Sequence, residues 1–173
     1  MALRLNDRSS DIVADVQSGS VPALEALYHR YASLVARVAY RITGSRDEAD
    51  DVVQDVFIGL PEALRRFDGR GSLDAWIHRV ATRAALMRVR QTRRHMPLDS
   101  TSEPRTRSPD SLAKIALDAA LEKLPEPLRL VFVLKEMEGY SHAEIADLLG
   151  IRTGTSEVRL FRATRRLRAL LET

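Results

Sequence analysis

Asp47, Glu48, Asp50, Asp51 and Asp55 crowd into one stretch, DEADDVVQDVF, of a chain whose 27 Lys and Arg outnumber its 24 Asp and Glu. Carboxylates three and four residues apart lie side by side on a helix. Such a stripe can hold a metal, face water, or meet a basic protein surface, and it repels a phosphate backbone. No His or Glu from a second helix can be placed opposite it, so a di-metal bundle is not expected. The histidines His29, His78, His95 and His142 show no ligand spacing. There is no Cys and no glycine-rich phosphate loop. No catalytic residue, metal site or cofactor is therefore expected.

Two basic segments bracket a different chemistry. Arg79, Arg83, Arg90 and Arg94 follow one helical stripe, behind the glycine-punctuated loop FDGRGS and Trp76. Phosphate contacts beside a loop pocket suit melted, single-stranded DNA, whose bases can be flipped out; a solvated face or a core Trp76 fits the same residues. The second segment is the C-terminal GTSEVRLFRATRRLRALL. On a helix, Ser156, Leu160, Ala163 and Leu167 share one side. Glu157, Val158, Phe161, Arg162 and Arg165 occupy the other. Arg162 and Arg165 can bind phosphate or guanine, Val158 and Phe161 can touch thymine methyls, and Glu157 can accept from a cytosine amino group.

Elements must hold these groups in place. Leu24, Leu27, Tyr28, Tyr31, Leu34, Val35, Val38 and Ile42 recur at helical spacing, with Pro22 near the start and Gly44 at the stop. A shorter helix, about 11–17, precedes it. Ser45 caps the acidic helix, whose core side is Val52, Val53, Val56, Phe57 and Leu60; Pro61 should kink, interrupt or restart it. Ser72 caps a helix over 73–94, its apolar side Leu73, Trp76, Ile77, Val80 and Ala84. MPLDSTSEPRTRSPDS (96–111) reads as a linker. Beyond it lie helices over about 113–124 and 126–137. Ser141 and Glu144 then form a capping box, Ile145, Leu148 and Leu149 an apolar face, Gly150 a stop, and Thr153 or Thr155 the cap of a basic helix. Short helix, glycine turn and basic helix make a helix-turn-helix.

Composition agrees with an all-α chain of two small domains. The 173 residues are 45% hydrophobic and only 5% aromatic. No apolar run reaches the ~20 residues of a membrane span, and MALRLNDRSSD lacks the apolar core of a signal peptide. The absence of Cys suits a reducing cytoplasm. The net charge of +3 is unevenly spread, so a polyanion and a separate basic partner are both expected.

Together these stretches resemble the extracytoplasmic-function (ECF) sigma factors, minimal bacterial transcription initiation factors. ALEALYHRYASLVARVAYRITGSRDEADDVVQDVF is similar to regions 2.1–2.2 of that family, and FDGRGSLDAWIHRVATRAALMRVRQTRR to regions 2.3–2.4. LPEPLRLVFVLKEMEGYSHAEIADLLGI and GTSEVRLFRATRRLRALL are similar to region 4. The resemblance implies region 2 over 1–95, a flexible linker over 96–112 and region 4 over 113–173. It implies that Asp47, Asp50, Asp51, Gln54 and Asp55 dock on the beta-prime clamp helices of core RNA polymerase, with the beta flap as a further contact. Asp68, Gly69, Arg70, Gly71, Ser72, Arg79, Arg83 and Arg90 would serve the minus-ten element, and Glu157, Val158, Phe161, Arg162 and Arg165 the minus-thirty-five element. It also implies promoter DNA and an anti-sigma factor as partners, a free monomer, a cytoplasmic location and no enzymatic activity. Three residues depart from the family pattern: Ser156 stands for a buried apolar residue, Glu157 for a basic one and Val158 for a serine. The alternatives are a helix-turn-helix regulator that is not a sigma factor, and a helical adaptor that binds protein alone.

Overall fold

The computed structural model describes residues 11–69, 71–95 and 112–172, with side chains up to 93 in the first part and from 116 in the second. Every regular element among the described residues is helical: α1 (11–17), α2 (Val21–Thr43), α3 (Arg46–Leu64), α4 (Leu73–His95), α5 (Leu112–Glu122), α6 (Glu126–Phe132), α7 (His142–Leu149) and α8 (Thr153–Leu171). They fall into two units, Met1–Ser102 and Glu103–Thr173. The expected linker lies almost wholly outside the described residues, and α5 already begins at Leu112.

In the first unit α2, α3 and α4 pack on one another. Ser20 opens α2 by accepting from the Ala23 amide, and Gly44 closes it in the left-handed conformation at φ 75°. A side chain other than glycine pays a steric penalty there. Ser45 then accepts from Glu48 N at 3.4 Å and starts α3 at once. Between the helices lie Leu27, Val35, Ile42, Val52, Leu60, Leu64 and Ile77, all at most 1% exposed. Each such side chain contributes roughly 1.5–3 kcal/mol by leaving water. Gln17 of α1 donates to the Leu64 carbonyl at 2.8 Å, tying the first helix to the end of α3.

α3 runs through Pro61 to Leu64, so of the kink, interruption or restart expected from the sequence, the interruption and the restart do not occur. Proline forfeits one backbone bond, to the Phe57 carbonyl. Leu60 and Leu64, both 0% exposed, hold the turns around it against the core. On α4 the buried line is Leu73, Ile77, Ala81 and Ala85, joined by Leu86 and Val89. Trp76, Val80 and Ala84 stand at its half-buried edge.

In the second unit α5, α6 and α7 all pack against α8. The helix begun by α6 widens over Val133–Met137 into a π turn, where Glu138 N donates to the Val133 carbonyl at 3.0 Å. Val133 and Leu134 are both 0% exposed. The capping box of α7 is complete: Glu144 N donates to Ser141 Oγ at 3.2 Å, and Ser141 N donates to Glu144 Oε2 at 2.8 Å. Gly150 ends α7 at φ 65°, and α8 begins three residues later at Thr153.

Candidate functional site

The acidic stripe is displayed as the spacing requires. Asp47, Asp50, Asp51, Gln54 and Asp55 are all exposed, while Val52, Val56 and Phe57 turn into the core and Val53 is half-buried. Asp47 and Glu48 in the first turn complement the positive end of the helix dipole. Two contacts across to α4 were not legible in the sequence. Arg88 forms an ion pair with Asp51, and Thr92 donates to Glu48 Oε1 at 2.6 Å. Asp51 thus has a partner within the chain, while remaining half exposed. Sequence reasoning also missed Ile58. It lies on the line of Asp47, Asp51 and Asp55 at about 100° per residue and is 72% exposed.

The loop after α3 is shaped by its glycines. Gly69 has φ 72° and Gly71 φ 89°, and a Cβ on either would meet nothing within 4 Å. Backbone conformation therefore calls for glycine here, with open space left around it. Asp68, Gly69, Gly71 and Ser72 are exposed; Arg70 lies outside the described residues. Phe67 and Trp76 close the base of the loop, with ring centroids 5.3 Å apart. Ser72 Oγ accepts from Ala75 N at 3.2 Å and caps α4 as expected. Arg79, Arg83 and Arg90 emerge along the exposed face that follows; the side chain of Arg94 is outside the description.

A further group holds the start of α4. Tyr31 Oη of α2 donates to Asp74 Oδ1 at 2.5 Å, and Arg30 pairs with the same oxygen at 3.3 Å. Burial raises the Tyr31 pKa well above its ordinary value, and the hydrogen bond and charge of Asp74 add to the shift. Asp74 and Tyr31 are 43 residues apart, so only their packing brings them together.

On α8 the outward residues are those expected: Glu157, Val158, Phe161, Arg162 and Arg165 are all exposed. Ser156 and Ala163 are 0% exposed and Leu167 3%, with Leu160 half-buried. The cap of α8 is a correction. Neither Thr153 nor Thr155 serves, because the N-cap lies one residue before the first and three before the second. Arg152 is the N-cap and makes no side-chain cap bond. Its carbonyl accepts from Thr155 and Ser156 instead. The departure at Ser156 acquires a reason: its Oγ is hydrogen-bonded to His142 Nδ1 at 2.9 Å. A buried hydroxyl without a partner is costly; His142, in the first turn of α7, satisfies it and ties the two helices of the motif together.

Among the described residues, no group of His, Asp and Glu is arranged to hold a metal ion. No helix among them is long and apolar enough to cross a membrane.

Comparison with known proteins gives matches along both units. Residues 27–95 match the family model described as Sigma-70 region 2, and residues 114–167 that described as Sigma-70, region 4. The chain is 31% identical to the ECF RNA polymerase sigma factor SigE of Mycolicibacterium smegmatis, over 88% of its own length and 63% of that protein's. It is 30% identical to the ECF RNA polymerase sigma factor SigM of Mycobacterium tuberculosis, over 94% of its length and 84% of that protein's. Among solved structures, CnrH in complex with the cytosolic domain of CnrY aligns with a TM-score of 0.56 and 29% identity, covering 95% of this chain and 97% of that one.

Proposed function

We infer which surfaces do the work from one premise: the chain belongs to the ECF RNA polymerase sigma factors of the sigma-70 family, which direct transcription initiation. On this reading the first unit docks on core polymerase and opens the promoter, and the second reads the upstream element. The acidic face of α3 meets a basic surface of the beta-prime clamp helices through Asp47, Asp50, Asp51, Gln54 and Asp55, with Ile58 as an apolar anchor amid the charges. The observation that carries this is the division of charge: carboxylates predominate on the outward face of α3, around Gln54 and Ile58, and arginines on that of α8, around Glu157, Val158 and Phe161. A surface repelled by phosphate and a surface attracted to it belong to two partners.

The loop of Asp68, Gly69, Arg70, Gly71 and Ser72 receives a base of the minus-ten element, and Arg79, Arg83 and Arg90 hold the phosphates beside it. Backbone left open by two glycines admits a flipped base, and the Phe67–Trp76 contact braces its floor. Glu157, Val158, Phe161, Arg162 and Arg165 enter the major groove at the minus-thirty-five element, as the second helix of a helix-turn-helix does. The unfilled cap of α8 leaves first-turn amides to face a phosphate oxygen. The beta flap is a second contact of region 4, residues 96–111 bridge the two units, and the free protein is a monomer. An anti-sigma factor is the regulatory partner; the protein-bound state of CnrH supports this. The chain performs no covalent step, since core polymerase supplies the metal and the nucleotide transfer.

The test is to mix the purified chain with bacterial core polymerase and a promoter library and measure run-off transcripts. Promoter-specific transcripts are expected. Failure to bind core would leave a helix-turn-helix regulator, and core binding without transcription would leave an adaptor.

A further inference from the structure

We infer that α8 reads thymine methyl groups: Val158 and Phe161 contact the 5-methyls of two neighbouring thymines in the upstream promoter element. This rests on the reading of α8 as the helix that enters the major groove. Val158 is 49% exposed and Phe161 69%, and they are the two large apolar side chains on the outward side of a helix rich in arginine. At about 100° per residue, Gly154, Val158, Phe161 and Arg165 form one line along the axis, centred opposite the buried Ser156, Ala163 and Leu167. A line of this kind points at the floor of a groove, while Arg159, Arg162 and Arg166 lie to one side of it and Glu157 to the other.

Neither Val158 nor Phe161 can hydrogen-bond a base. The major groove presents one apolar group for such side chains, the C5-methyl of thymine. Three residues of helix rise about 4.5 Å, against roughly 3.4 Å between bases of one strand. The two side chains therefore address positions one or two base pairs apart. The flanking arginines supply the charge complementarity that commits this apolar pair to DNA. Gly154, exposed and with nothing within 4 Å of where its Cβ would be, leaves the groove wall room at the helix start. Glu157, offset from the line, suits a cytosine amino group beside the thymines.

Promoters are first selected from a randomised duplex library with wild-type chain and core polymerase. The strongest is then remade with deoxyuridine replacing each upstream thymine in turn, which deletes a methyl and nothing else. At two positions one or two base pairs apart, transcript yield should fall about fourfold, the effect of one methyl group. Phe161→Ala should abolish the penalty at one position and Val158→Ala at the other, both with wild-type core affinity. The inference is overturned if no upstream thymine is selected, if uracil is tolerated everywhere, or if both penalties survive in both variants. Loss of core binding by both alanine variants would assign the pair to a protein contact, overturning the inference while initiation stands. If wild type yields no transcript from any library member, the initiation reading fails and takes the inference with it.

Discussion

α3 and α8 are the same length, 19 residues, and each buries one side against its own unit. Outward, one is a row of carboxylates interrupted by Gln54 and Ile58, the other a row of arginines interrupted by Glu157, Val158 and Phe161. Their beginnings differ in the same sense. α3 closes its own N-terminus with Ser45 and places Asp47 and Glu48 in the first turn. α8 has no side-chain cap and no acid in its first turn. Helix N-termini attract anions; α3 meets that attraction with its own side chains, and α8 does not. In the function proposed above, two amphipathic helices that fold by the same rule are directed to partners of opposite charge by residues that contribute nothing to either core.

The sharpest way to break this comparison is to neutralise the α8 side. Arg162→Ala with Arg165→Ala should lower promoter affinity of the polymerase complex about a hundredfold, at roughly 1–3 kcal/mol per contact, and flatten its salt dependence. Core affinity should stay within about twofold, measured by fluorescence anisotropy of labelled chain. An equal loss of core affinity would mean that the faces do not divide the partners.

On the α3 side, Ile58→Ala should weaken core binding about tenfold, as truncation of an apolar interface anchor does, with the melting temperature unchanged. An unaltered affinity would place Ile58 outside the interface.

Ser156→Ala tests how α8 is held for reading. Removing the hydroxyl strands His142 Nδ1, at a cost of about 1–2 kcal/mol. Thermal unfolding of the second unit should shift downward, with α3-mediated core binding intact. Adding His142→Ala should cost less than the sum of the two single changes, because the bond is lost only once.

Tyr31→Phe is the smaller counterpart in the first unit, about 1 kcal/mol near neutrality. Its pH dependence has a definite sign. The folded Tyr31 pKa lies above the ordinary value of 10.0, so the contribution is complete below about pH 10 and is lost as pH rises toward the folded pKa. The stability gap between wild type and variant, measured by denaturant titration, should therefore narrow above pH 10. A constant gap would remove the Asp74 bond from the account.

These residues also show where sequence was sufficient. Ser45, Gly44, Gly150 and the Ser141–Glu144 box act within one or two turns, so spacing alone reveals them. The outward faces of α3 and α8 follow from helical period in the same way. Pairs across the fold do not: Arg88 with Asp51 is separated by 37 residues and His142 with Ser156 by 14. Which helices touch, and at which height, decides such pairs. Pro61 neither interrupts nor restarts α3 for a related reason, since a local penalty is outweighed by the burial of Leu60 and Leu64. The exposure of Ile58 was within reach, because its spacing from Asp51 and Asp55 places it on the acidic side.

The central claim is that the acids of α3 exist for core polymerase. Its most direct test is the affinity of the chain for core polymerase after Asp51→Arg with Asp55→Arg, against Arg88→Ala as the control that frees Asp51 without altering α3. Charge reversal should cost about a hundredfold or more, with helix content preserved by circular dichroism, while Arg88→Ala retains or improves binding. Wild-type affinity in the reversed variant would contradict the account.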